Sequence, residues 1–271
     1  MCLASGGMDE PVEGSSVEVR TYFVRRRNAL VARAEMGELY IDYYLHQGQN
    51  GYQHKPQDDG MMKEALAAML LHGAARPRTD TVAWTVHFEE PLLNFFVTAE
   101  NPSGRVVGQI FTENVKRMGH GMFCSDLLSG FEPPRRSVVD FEGAEMMRAV
   151  ERFYEGSEQR MGRLFEIGPE EFVLAVAQPD CDEEWLAGLT VENIQQLDQD
   201  EELVFLEERY YRWSCGCDQE KMMAVLAPVM RMDAEGLFGD ESLVRIGCPR
   251  CGMKHTVTRE GLEAYMAGQT R

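Results

Sequence analysis

The chain has 271 residues, 44% hydrophobic and 27% charged, which is enough to bury a sizeable core and to divide into one large domain and one small one. Its formal charge of −18 argues against nucleic acid and anionic membrane as partners, since both would repel it. No apolar run reaches the length of a membrane span, and Met1 to Ser16, rich in Gly, Ser, Asp and Glu, lacks the apolar stretch of a signal peptide and reads as disordered.

Val17 to Phe23 alternates as a strand does, and Arg25-Arg26-Arg27 after it reads as a solvated charge run, with pairing to the acidic excess as the alternative. Ala29 to Leu45 reads as helix, or as strand plus helix, and Gln47 to Gly60 as loop. Met61 to Ala75 is a strong helix former that ends before Pro77. Thr81 to Phe88, Leu92 to Ala99 and Val106 to Phe111 predict an antiparallel meander, with a turn at Asn101-Pro102-Ser103-Gly104. Met118 to Gly121 and Ser129 to Arg136 read as loops and Ser137 to Phe141 as a short strand. Glu145 to Gln159 reads as an amphipathic helix, and strands at Leu164 to Ile167 and Phe172 to Ala177 close an α+β domain near Gln178.

From Asp180 to Glu208 the chain carries eleven acidic residues and no Lys or Arg, while Trp185, Leu186, Leu189, Ile194, Leu197, Leu203 and Phe205 recur at roughly helical intervals. Unopposed negative charge weakens isolated helices. The segment therefore reads as an acidic helical linker, either an ordinary one or one folded only while it is docked.

The chemistry lies beyond it. Cys215-Gly216-Cys217 and Cys248-Pro249-Arg250-Cys251 are two tight pairs separated by thirty residues, the arrangement a tetrahedral metal needs. Four thiolates in a closed shell select one zinc ion, and in a segment too small to fold alone the metal's binding energy becomes folding energy. Four of the seven cysteines in such clamps, with no secretion signal, point to a reducing cytoplasm rather than to structural disulfides. Cys2, Cys124 and Cys181 stand alone and read as bystanders, as do His46, His54, His72, His87 and His120. His255 is an alternative ligand to one thiolate. The seventeen methionines read mainly as core filling. Cys-Pro-Arg-Cys has the spacing of a thioredoxin-type active site, but it lacks the βαβ setting that motif requires, so no enzyme is expected.

The order of these parts resembles the thirty-three-kilodalton heat-shock family of redox-regulated holdase chaperones. The resemblance is carried by the four-cysteine spacing, by Phe153-Tyr154-Glu155-Gly156-Ser157-Glu158-Gln159, and by the strand Phe172 to Ala177 with the acidic segment after it. Asp218 after Cys217, His255 in place of an aromatic, and the loosely matching stretch from Arg20 to Leu45 mark a divergent member. The resemblance implies an α+β N-terminal domain with a mixed sheet and packed helices over 17–178, an acidic helical linker over 179–210 and a zinc-binding redox domain over 211–271. It implies zinc on Cys215, Cys217, Cys248 and Cys251, with the same four cysteines forming disulfides on oxidation, expected within each clamp. Partners would be unfolded or partly folded client proteins, with a homodimer in the oxidised state open. A zinc-stapled binding protein without redox switching is the alternative.

Overall fold

The computed structural model describes residues 15–130 and 132–269. Residues 1–14, which include Cys2 and most of the stretch expected to be disordered, lie outside the described residues.

β1 (Val17–Val24) and β2 (Ala29–Glu35) form an antiparallel hairpin. α1 (Gly37–Asn50) and α2 (Pro56–Ala74) follow, so most of the stretch expected as a loop from Gln47 to Gly60 is helical. Gly51, at φ 64°, ends the first helix, and Pro56 supplies the fixed φ that suits the first turn of the second. The expected meander is present as β3 (Asp80–Phe88), β4 (Leu93–Glu100) and β5 (Arg105–Phe111). β6 (Gly121–Ser129) and β7 (Arg135–Phe141) extend the sheet beyond β3. β6 lies where no strand was expected; its signal is the burial of every second residue, Gly121, Phe123, Ser125 and Leu127. α3 (Met146–Phe153) widens into a π-helical turn, Tyr154–Glu158, before reaching Gln159. β8 (Gly162–Gly168) and β9 (Glu171–Ala177) form the next hairpin.

The acidic segment departs most from expectation. α4 (Glu183–Gly188), α5 (Val191–Gln195) and α6 (Leu197–Asp200) are short helices, and Leu203 to Trp213 is not helix but a long strand, β10. β10 pairs antiparallel with β1, from Val17↔Tyr211 to Val24↔Leu203, and parallel with β5 at Arg212↔Arg105 and Trp213↔Val106. It joins two half-sheets into one ten-stranded sheet of order β7-β6-β3-β4-β5-β10-β1-β2-β9-β8. The core sheet is therefore not closed at Gln178. Alternation in Glu208 to Trp213, with Arg209 and Tyr211 buried and Tyr210 exposed, overrides the helical spacing of the apolar residues before it.

Each face of the sheet carries a core. On one face α2, buried on nearly all sides, packs with Trp84, Phe88, Phe95, Phe123 and Phe153. On the other, Leu186, Leu189, Ile194 and Leu197 of the acidic segment cover Val31, Val173 and Ala175. Arginines hold that segment down: Arg27 meets Asp182 at 2.7 Å and Glu201 at 2.8 Å, Arg33 meets Asp198 at 2.9 Å, and Arg25 meets Glu202 at 3.0 Å. Within the arginine run Arg25 and Arg27 thus pair with the acidic segment, while Arg25 and Arg26 stay exposed to solvent.

The C-terminal module comprises α7 (Gln219–Met232), α8 (Ala234–Phe238), the hairpin of β11 (Leu243–Gly247) and β12 (Lys254–Thr258), and α9 (Arg259–Gly268). Its small core of Met222, Leu226, Phe238, Val257 and Leu262 includes Cys248, Cys251 and, from the main sheet, Val107. Among the described residues no helix is long and apolar enough to cross a membrane.

Candidate metal centre

The end of β10 delivers the first cysteine pair. Ser214 donates its N–H to the Val106 carbonyl at 3.1 Å, and Gly216 then turns the chain at φ 62°, which a side chain would oppose. Asp218 next caps α7, accepting the Lys221 N–H at 2.8 Å. Asp is among the strongest helix-capping residues, so at this position it keeps the local structure intact. The second pair sits in the turn between β11 and β12, closed by Gly252 N–H to Cys248 O and Cys248 N–H to Met253 O, both 2.8 Å, with Gly252 at φ 74°.

Folding brings all four predicted residues together: the Sγ atoms of Cys215, Cys217, Cys248 and Cys251 lie within 4.8 Å of one another. Cys248 and Cys251 are buried, and Cys215 and Cys217 are half-buried. The donor set and its compactness fit a four-coordinate soft metal. The 3.6 Å contact of Cys215 with Cys248 and the 3.7 Å contact of Cys217 with Cys251 both cross between clamps. Proximity in the folded state therefore does not select pairing within a clamp.

The thiols perturb one another. Cys215, hydrogen-bonded to Cys248, is pushed up to about 12, while hydrogen bonds from Cys215 and Cys251 hold Cys248 far below an ordinary thiol.

Groups around the sulfurs complete the site. His255 Nε2 lies 3.4 Å from Cys217 Sγ, beside the sulfur cluster. Arg250 reaches the Cys215 carbonyl at 3.5 Å and Glu100 of β4 at 2.5 Å. His46 Nε2 and Tyr52 Oη meet the Cys251 carbonyl at 2.8 and 3.1 Å, and Asn50 accepts the Lys254 N–H at 3.1 Å. His46, read from the sequence as a bystander, is thus part of the seat of the second clamp; no short-range spacing could have revealed a contact this distant in the chain. His54 packs against Tyr52 beside that seat, with ring centres 5.3 Å apart, while His87 bonds Asn94, His120 lies near Asp140 and His72 bonds Tyr154. Cys124 and Cys181, each raised chiefly by burial, sit outside the cluster.

The family profile described as "Hsp33 protein" matches residues 170–258. The chain is 19% identical over 174 residues to a 33 kDa chaperonin of Nitrosococcus oceani, covering 56% of this chain and 60% of that protein. It is 31% identical over 80 residues to a 33 kDa chaperonin of Caldanaerobacter subterraneus subsp. tengcongensis, covering 29% and 27%. The aligned regions thus span less than two thirds of these curated relatives. Among solved structures, the crystal structure of the 33 kDa chaperonin (heat shock protein 33 homolog) of Thermotoga maritima superposes with a TM-score of 0.70 at 12% identity, covering 93% of this chain and 98% of that one. At that identity the likeness is one of fold.

Proposed function

The chain belongs to the Hsp33 family, and from that membership we propose that it is a redox-regulated holdase chaperone whose four-cysteine zinc centre governs the exposure of client-binding surface. The observation that carries this reading is the gathering of Cys215, Cys217, Cys248 and Cys251 within 4.8 Å. These four residues would hold one zinc ion as thiolates, and the bound ion would tie the end of β10 to the β11–β12 turn.

Hydrogen peroxide is the oxidant class the switch would sense. Each pair of thiolates gives up two electrons to one peroxide, which takes two protons from solvent, forming one S–S bond and two waters. Two peroxides convert the whole cluster, which then lacks the thiolates that hold a cation. Once the module loosens, only neighbours in sequence stay close, so the bonds form within each clamp. Such small rings contribute under about 2 kcal/mol, against roughly 3–4 kcal/mol for a loop of about thirty residues, so one long-range tie gives way to two local ones. The module's apolar core includes two of the cysteines themselves and is too small to persist alone. Its unfolding frees the end of β10 and the acidic segment, whose unbalanced charge opposes refolding, and the uncovered apolar surface captures partly unfolded clients. The protein acts in a reducing cytoplasm, without enzyme activity of its own and without nucleic acid or membrane partners.

Zinc release, free-thiol count and suppression of client aggregation, followed together during peroxide treatment with mild heating, test this. Metal loss without suppression overturns the chaperone reading. A second reading, a zinc-stapled binding protein without switching, is favoured by the pairing of β10 with β1 along its length and by the arginine clamps on the acidic segment. Retention of zinc under peroxide would decide for it.

A further inference from the structure

A recess of about 200 Å³, lined by none of the four clustered cysteines, opens between the end of α2, strands β6 and β7 and the π-helical turn. Its polar groups are almost all donors. Ser125 is only 6% exposed, yet it lines the recess with no hydrogen-bond partner for its hydroxyl among the described residues. Ser157 Oγ donates to Ser137 Oγ at 2.7 Å, which leaves the Ser137 proton free. His72, 1% exposed, lies alongside with Nδ1 2.7 Å from Tyr154 Oη.

Three guanidiniums stand around these groups. Arg76 commits Nε to Asp80 at 3.0 Å and Nη1 to Glu158 at 3.3 Å, leaving Nη2 without an acceptor among the described residues. Arg136 commits Nε and Nη2 to Asp126 at 2.6 and 2.8 Å, leaving Nη1 likewise. Arg135 is exposed and has no acid partner among the described residues. Glu158, the carboxylate of the lining, is already engaged by Arg76 and Arg160. Burial, with the charges of Arg76 and Arg160, holds the pKa of His72 well below its ordinary value. A π-helical turn, a rare departure that recurs at functional sites, forms one wall.

The geometry points to this recess as a binding site for a small phosphoryl oxyanion, gripped by Arg135 and the free guanidinium edges of Arg76 and Arg136, with the hydroxyls of Ser125 and Ser137 beneath. Donors converge from α2, β6 and β7, which suits the several terminal oxygens of a tetrahedral group better than the two coplanar oxygens of a carboxylate. The Ser125 hydroxyl, without a protein partner among the described residues, is open to such a ligand from the recess. The site is separate from the cysteine cluster and does not depend on the chaperone reading.

Calorimetric titration of the full chain with inorganic phosphate at constant ionic strength tests it, with acetate titrated in parallel. Saturable binding of phosphate at one site per chain is expected, weakened about ten-fold or more in Arg135→Gln and in Ser125→Ala, in line with loss of a charge-assisted or buried hydrogen bond, and unchanged in Arg117→Gln outside the recess. Arg135 is exposed, so its variant keeps the fold. Absence of saturable binding, binding that survives Arg135→Gln, or acetate bound as tightly as phosphate would each overturn the proposal.

Discussion

A ring nitrogen of His46 lies 2.8 Å from the carbonyl oxygen of Cys251, which comes 205 residues later in the chain. Helix α1 thereby touches the backbone of a cysteine in the sulfur cluster, and Tyr52 adds a second donor to the same oxygen at 3.1 Å. Tyr52→Phe removes that hydroxyl while keeping the ring, at a cost of about 1 kcal/mol. A loosened clamp should give up its metal faster: peroxide-driven zinc release, read with a chromogenic chelator, should accelerate several-fold in Tyr52→Phe and more in the double variant with His46→Phe.

Removing one sulfur should act more drastically. Cys251→Ser leaves three thiolates and should abolish stoichiometric zinc. Because structural zinc contributes on the order of 10 kcal/mol to such modules, amide exchange should lose protection across α7, the β11–β12 hairpin and α9 while persisting in β3, β4 and α2. Equal protection in the variant and the parent would show that the module stands without metal.

The arginine clamps on the acidic segment should be salt-sensitive. Arg27, about a third exposed, bridges Asp182 and Glu201, so Arg27→Ala should cost about 1 kcal/mol, less at high ionic strength. Ile194→Ala, in the core beneath, should cost about 2–5 kcal/mol and be indifferent to salt. Hydrogen exchange over 183–200 at two salt concentrations separates the two.

Acid should destabilise the fold through His72. Its pKa is held well below the ordinary value by burial and by Arg76 and Arg160, so the native state binds fewer protons than the unfolded chain. This stability is complete above about pH 6.5 and falls as pH drops below it, by at most about 1.4 kcal/mol per pH unit from one group. Denaturant unfolding between pH 7.5 and 5 should show that slope, reduced in His72→Gln; an unchanged slope would assign acid sensitivity to other groups.

The sequence by itself determined what depends on near neighbours. The two cysteine pairs and their spacing were legible as a four-thiol metal site, because each pair is set within a few residues. The β3–β4–β5 meander and the middle of α2 were legible for the same reason, since period-two and helical patterns are local. Tertiary structure decided the rest. Leu203 to Trp213 is a strand because β1 and β5 present open edges to it, and neither edge is encoded in that segment. Arg25 and Arg27 find acids from the far end of the core only after the sheet forms, and His46 meets Cys251 only once the C-terminal module has docked. Such contacts close loops of well over a hundred residues, so their partners are selected by the whole fold and leave no local trace.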